Sequence, residues 1–135
     1  MTDRTARDAW RAMSALVLDN QRRQEVGDAV GLPFSRVRAL WRVAASPRTP
    51  GQLAALLNVD PANCTPIVDD LERRGLVARE PHPRDRRSKL VVITAAGART
   101  AKKAQRLWDR PPTALRELSR DELETLAELL SRIRP

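Results

Sequence analysis

The sequence predicts a mostly α-helical α+β chain in which one short β-hairpin is set among helices. Three observations carry that prediction. Hydrophobic residues fill 41% of the 135 positions but aromatic ones only 3%, and the apolar set is mainly Ala, Leu and Val, which suits helices better than sheets. Apolar residues recur at three- and four-residue spacing along most of the chain. Between Leu76 and Thr94 the pattern changes to two short apolar runs around a polar, proline-containing loop. At this length one hydrophobic core is expected, hence a single domain over 1–135.

From Ala6 to about Val30, Trp10, Met13, Leu16, Val17 and Val26 fall mostly at helical spacing and predict one long amphipathic helix. Gly31, Leu32 and Pro33 break it, and a helix from about Ser35 to Ala45 presents Val37, Leu40, Trp41 and Ala44 on one face. Thr49, Pro50 and Gln52 combine a hydroxyl N-cap, a proline in the first turn and a capping-box glutamine, opening a short helix that ends near Leu57. Asp60 and Pro61 repeat the cap-then-proline signal for a helix to Arg74, closed by Gly75. Pro66, in its second turn, removes one backbone donor.

Leu76 to Glu80 and Leu90 to Thr94 are expected strands, joined by a basic tip, Pro81 to Lys89. Thr94 caps a further helix through Leu107, which Pro111 and Pro112 end. Ser119 and Glu122 form a capping box for the last helix, where Leu123, Leu126, Leu130 and Ile133 recur at helical spacing. The five glycines are read as breaks or caps.

The charge points to a polyanionic partner. Lys and Arg number 25 against 17 Asp and Glu, and Arg, whose planar fork suits phosphates and guanine edges, supplies most of the excess. Charge by itself leaves RNA and anionic membrane surfaces open. No segment reaches the roughly 20 apolar residues of a membrane span. Charges scattered through Met1 to Asp19 argue against a signal peptide, and Cys64 has no partner for an intramolecular disulfide. A soluble, cytoplasmic protein without membrane association is expected.

Two helices joined by a few residues and followed by a basic hairpin form a winged helix-turn-helix, in which the second helix enters a major groove about 12 Å wide. The helix opening at Asp60 has small or polar residues at its N-terminus, Ala62, Asn63 and Thr65, and an apolar inner face, Ile67, Val68 and Leu71. Its N–H groups favour a phosphate or base acceptor, and Asn63 suits an adenine edge. Between Leu71 and Leu90 seven basic residues (Arg73, Arg74, Arg79, Arg84, Arg86, Arg87 and Lys89) face three acidic ones (Glu72, Glu80 and Asp85), so this window holds half the net charge of +8. At a hairpin tip such a run suits a narrow, electronegative minor groove, with Asp85 orienting an arginine.

The stretch Thr49 to Gly97 resembles the MarR family of bacterial winged-helix regulators. It does so through "DDLERRGLVAR" and through a wing in which Asp85, Arg86 and Arg87 precede a strand, Leu90 to Thr94, ending in Thr. The resemblance implies a homodimeric, sequence-specific regulator of transcription, by default a repressor, that reads double-stranded DNA at a pseudo-palindromic operator. In it 35–97 is the DNA-binding lobe, and 6–30 and 98–134 are dimerisation helices. It further implies that Arg87 is the wing arginine in the minor groove, held by Asp85. The expected DNA contacts are Thr49, Pro61, Ala62, Asn63, Thr65, Arg73, Arg74, Arg84, Asp85, Arg86, Arg87 and Lys89; those of the dimer are Trp10, Met13, Val17, Leu123, Leu126, Leu130 and Ile133.

Other signals weigh less. Cys64 near a helix N-terminus has the position of a redox sensor, but a small buried or groove-facing thiol is the simpler reading. Peroxide-sensing members of the resembled family carry their cysteine in the first helix, where this chain has none. With one His and one Cys the chain lacks an ordinary zinc site, so neither metal nor cofactor is expected. An unidentified small-molecule effector is left open. Asp69, Asp70 and Glu72 read as helix-face charge pairs beside Arg73 and Arg74. No phosphate-binding glycine loop, nucleophile elbow or dinucleotide fingerprint is present, so an enzyme is not expected. The rival readings are a winged-helix protein-interaction module, which would not need the Arg84 to Lys89 cluster, and single-strand binding, which usually stacks bases on aromatics that are scarce here.

Overall fold

The computed structural model describes residues 2–18 and 21–133. Helices α1 (Thr2–Leu18), α2 (Arg22–Val30), α3 (Phe34–Ala45), α4 (Pro50–Leu57) and α5 (Pro61–Arg73) precede an antiparallel hairpin of β1 (Val77–Pro81) and β2 (Lys89–Ile93). Helix α6 (Ala95–Trp108), a 3-10 turn (Thr113–Glu117) and α7 (Arg120–Arg132) follow. This is the expected winged helix-turn-helix with flanking helices. No helix among the described residues is long and apolar enough to cross a membrane.

The single helix predicted over Ala6 to Val30 is instead two. Every residue from 19 to 25 is polar, so an apolar stripe cannot continue through those turns, and Asp and Asn are weak helix formers. The two helices also serve different surfaces: Val26 is fully buried in the core, whereas Trp10 is 65% exposed. The predicted helix crosses positions 19 and 20, and the predicted dimerisation segment ends at 134; those positions lie outside the described residues.

The core lies between α2, α3, α4, α5, α6 and the hairpin, where Val37, Leu40, Val43, Leu53, Leu71, Val77 and Val91 are all but inaccessible. Both strands start and end one residue from the predicted bounds. The Thr49–Gln52 capping box on α4 and the Ser119–Glu122 box on α7 form as read, and Gln52 and Glu122 side chains accept from the cap N–H groups at 2.9 and 2.8 Å. The Glu122 carboxyl, bonded by the Ser119 backbone and hydroxyl, is held below its usual range. Asp60 occupies the N-cap position of α5 but contributes no side-chain bond; its carbonyl accepts from the N–H groups of Asn63 and Cys64. Helix α5 runs through Pro66, which lies on its exposed side.

One strand partner escaped the sequence pattern. Arg48, just before α4, exchanges two backbone hydrogen bonds with Val91 (3.1 and 2.7 Å), so β2 is flanked on both sides and the wing base is tied to the helix-turn-helix. A lone bridging residue has no alternation to reveal it.

Of the five glycines expected to be breaks or caps, Gly31 and Gly75 are, with φ of 70° and 74°, whereas Gly27 and Gly51 lie inside α2 and α4. Gly97 sits inside α6, where a Cβ would stand 1.9 Å from the Leu76 carbonyl oxygen and 2.8 Å from Ile93 Cδ1. The hydroxyl of Thr94 accepts from Gly97 N–H (3.0 Å) and donates to the Gly75 carbonyl (2.7 Å), while Thr94 N–H donates to Leu76 (3.2 Å). The end of α5, the start of β1 and the start of α6 meet there. Gly97→Ala is expected to destabilise the fold by about 3 kcal/mol, the upper range of overpacking. Gly51→Ala, with open space around the new methyl, should be neutral or stabilising. Thermal melts of the two variants distinguish a steric constraint from a general helix preference.

Candidate nucleic-acid interface

Helix α5 is amphipathic in the sense a groove-reading helix needs. Cys64, Ile67, Val68 and Leu71 are buried against the core, and Pro61, Ala62, Asn63, Thr65 and Asp69 face outward. Proline at the first helical position leaves an N-terminus lined by small side chains. The Thr65 hydroxyl donates back to the Pro61 carbonyl at 3.3 Å, which leaves Asn63 as the polar side chain on that turn without a hydrogen bond among the described residues. Thr49 is half-buried, with its hydroxyl accepting from Gln52 N–H, so its first role is structural. Cys64 is 1% exposed and burial raises its thiol pKa, with the Arg79 charge opposing. A buried, protonated thiol fits the simpler of its two readings.

The acidic residues of α5 divide the neighbouring arginines between two tasks. Asp70, 9% exposed, accepts from Arg73 Nη2 (2.7 Å), Arg74 Nε (3.1 Å) and Arg36 Nε of α3 (3.3 Å). The hydrogen bonds of Arg74 and Arg73, with that of Arg36, hold its carboxyl at about 2 against partial burial. Arg74 also donates to the Gly31 carbonyl (3.0 Å), so its guanidinium is engaged within the protein, while the Arg73 side chain stays 74% exposed.

Asp69 and Glu72 correct the reading of these acids as pairs along one helix. Both reach across to Arg79 on β1, at 2.6 and 2.7 Å, and Glu72 also accepts Arg79 N–H at 3.1 Å. Their partner is seven and ten residues away in sequence, beyond helical spacing. Arg79 therefore fastens the wing to α5 through two carboxylates of the helix.

The wing loop is built by two side chains. His82 Nδ1 accepts the N–H groups of Arg84 (3.0 Å) and Asp85 (3.1 Å), and His82 N–H donates to the Ser88 carbonyl. Asp85 accepts from Arg87 N–H (3.0 Å) and the Ser88 hydroxyl (3.3 Å). Asp85 thus fixes the Arg87 backbone, where an arginine side chain was expected to be held. His82, the one histidine of the chain, thus serves as an acceptor inside the loop, and among the described residues no group of three or more His, Cys, Asp and Glu side chains is placed to hold a metal ion. The product is a closed loop whose four cations, Arg84, Arg86, Arg87 and Lys89, are exposed and form no ion pair among the described residues.

Of the residues expected at a dimer contact, Met13, Val17, Leu126 and Leu130 line one apolar cleft of about 350 Å³, shared with Trp108 and Leu115. Leu123 is half-buried, and Trp10 and Ile133 are exposed without lining it. Trp108 stacks on Phe34 at 5.3 Å, and Trp41 packs against both rings while donating from Nε1 to the Ala101 carbonyl.

Because the Asp70 carboxyl titrates lower in the folded protein than its unfolded value of about 3.9, its contribution is complete above that pH and is lost as pH falls toward about 2. Asp70→Asn should therefore melt below wild type at neutral pH, with the difference closing in acid. His82→Ala should leave the melting temperature unchanged and speed amide exchange at Arg84 and Asp85, the two N–H groups its ring accepts, since it removes only loop bonds.

Residues 30–88 match the model of the MarR family. The chain is 31% identical over 123 residues to the multiple antibiotic resistance protein MarR of Escherichia coli, covering 86% of this chain and 85% of that one. It is 39% identical over 103 residues to an uncharacterised HTH-type transcriptional regulator of Mycobacterium leprae, covering 72% and 71%. Crystal structures of E. coli MarR are similar throughout: the apo wild type at TM-score 0.80 and 26% identity, covering 93% and 96% of the two chains. A mutant complexed with operator DNA follows at 0.64 and 25%, covering 92% and 93%.

Proposed function

The chain belongs to the MarR family of transcriptional regulators, and from that premise we propose a homodimeric repressor that reads a pseudo-palindromic operator with α5 and the wing. The observation that carries this reading is the pairing of two exposed surfaces. The Ala62–Asn63–Thr65 end of α5 is slim enough for a major groove, and beside it the wing offers four exposed cations that form no ion pair among the described residues. Arg79, bonded to Asp69 and Glu72, makes the two surfaces one rigid body. The E. coli relative solved with operator DNA supports the same use of this fold.

In this reading Asn63 contacts base edges, the α5 N–H groups and Arg73 meet phosphates, and Arg86 or Arg87 enters the minor groove beside the half-site. Arg74, held by Asp70 and Gly31, serves to position α5. Two copies bind successive major grooves about 34–36 Å apart. The dimer closes through α1 and α7, neither of which buries a residue within the described chain although both carry apolar rows. Exposed Leu16, Val17, Leu129 and Leu130 need such a cover. A small-molecule effector would act by preferring one spacing of the two lobes, and the apolar cleft beside Trp108 joins the flanking helices to the lobe.

The test is a titration against the DNA upstream of the protein's own gene, with scrambled competitor, at two salt concentrations. Tight, competitor-resistant binding that weakens steeply with salt is expected. Arg86→Ala with Arg87→Ala should cost about 100-fold or more in that affinity, at about 1–3 kcal/mol per contact, and leave sedimentation and melting unchanged. Sequence-indifferent binding, or none, would instead favour a protein-interaction module.

A further inference from the structure

The wing region accounts for only half of the net charge. Arg99 to Arg110 supplies the other half, with five basic residues (Arg99, Lys102, Lys103, Arg106 and Arg110) and one acid, Asp109; elsewhere the signs balance. All five cations are exposed, and none forms an ion pair among the described residues. The acid is engaged with Gln105 at 2.8 Å.

Four of the five lie on α6 along one line. Gly97, Ala101 and Ala104 are buried, and at about 100° per residue Arg99, Lys102, Lys103 and Arg106 all fall on the opposite side of the helix. The line spans about 10 Å, the length occupied by roughly three phosphates of one DNA strand. It is not aimed at the duplex that α5 would read. Helix α3 separates the two: Arg36 bonds Asp70 of α5, while Trp41 bonds the Ala101 carbonyl of α6, and these positions are about 140° apart around α3. The outer face of α6 points away from α3 and so away from α5. A second copy of the chain is no better a cover, because the stripe has no apolar residue and Trp108 lies on the other flank of α6.

We propose that this stripe is a second, sequence-independent site for the phosphate backbone of duplex DNA, through which the regulator holds a separate DNA segment while α5 and the wing occupy the operator. The chemistry favours a duplex over other polyanions. Single strands need stacking aromatics, and the stripe has none. An interfacial membrane helix must insert an apolar face, and that of α6 is committed to the core. A protein already on DNA meets other segments of the same molecule at high effective concentration, so a weak electrostatic site suffices.

The inference rests on the DNA-binding function proposed above, and the experiment separates the two. Full-length protein is saturated on an immobilised duplex from upstream of its own gene, and a labelled random-sequence duplex is added at low salt. Wild type should retain the second duplex. The variant R99Q/K102Q/K103Q/R106Q should retain it at least about tenfold less, keep wild-type affinity for the first duplex within about twofold, and melt like wild type. No capture by wild type, or equal capture by the variant, overturns the second site and spares the operator reading. A parallel loss of affinity for the first duplex overturns it too, because the stripe would then touch the same DNA. Capture of phosphatidylserine vesicles in place of the second duplex assigns the stripe to a membrane surface. Failure to bind the upstream duplex at all removes the operator reading and this proposal with it.

Discussion

The approach of α6 to the start of β1 is the constraint from which the rest of the lobe takes its arrangement. A helix and a strand can pass this closely only where no Cβ intervenes, and Gly97 against the Leu76 carbonyl is that place. Thr94 completes the junction by capping α6 and donating to Gly75, the residue whose left-handed backbone ends α5. Three elements distant in function are thereby fixed within one turn of chain. The angle of the wing relative to α5, and the direction in which α6 leaves the lobe, both follow.

Electrostatics then distributes the arginines. In a chain this rich in cations the acids decide which ones are available to a partner. Asp70 occupies Arg36 and Arg74 at the end of α5, and Asp69 and Glu72 occupy Arg79 at the root of the wing. The wing tip has one acid, Asp85, and it is spent on backbone N–H groups and Ser88, so the tip keeps its charge. Structural and partner-facing cations are thus separated by the position of three or four carboxylates. Asp70 can do this down to low pH because three guanidinium groups surround it.

The flanking helices obey a different rule. Helices α1 and α7 are amphipathic but bury no residue fully within the described chain, and Leu16, Val17, Leu129 and Leu130 of their apolar rows stay exposed in a single copy. The Phe34–Trp41–Trp108 cluster marks where this region meets the lobe, and it gathers three of the chain's four aromatics in one place. A movement of the flanking helices would be felt by α3 through these rings.

Local signals were sufficient for much of this. The cap-and-proline starts of α4 and α5, the Ser119–Glu122 box, the Gly75 stop and the basic hairpin tip are written within three to nine residues each, because capping and turn chemistry act at that range. The slim N-terminus of α5 and the four wing cations, and with them the family, were legible for the same reason. What the tertiary structure alone decided involves partners far apart in sequence. The break in the predicted first helix depends on which apolar residues reach the core, the Arg48–Val91 bridge on a strand of one residue, and the Gly97 contact on a helix meeting a carbonyl 21 positions earlier. The pairing of Arg79 with Asp69 and Glu72, and the use of His82 as a loop acceptor, likewise have no periodic trace. Sequence spacing specifies what a residue offers to its near neighbours; only the packed chain determines which distant group receives it.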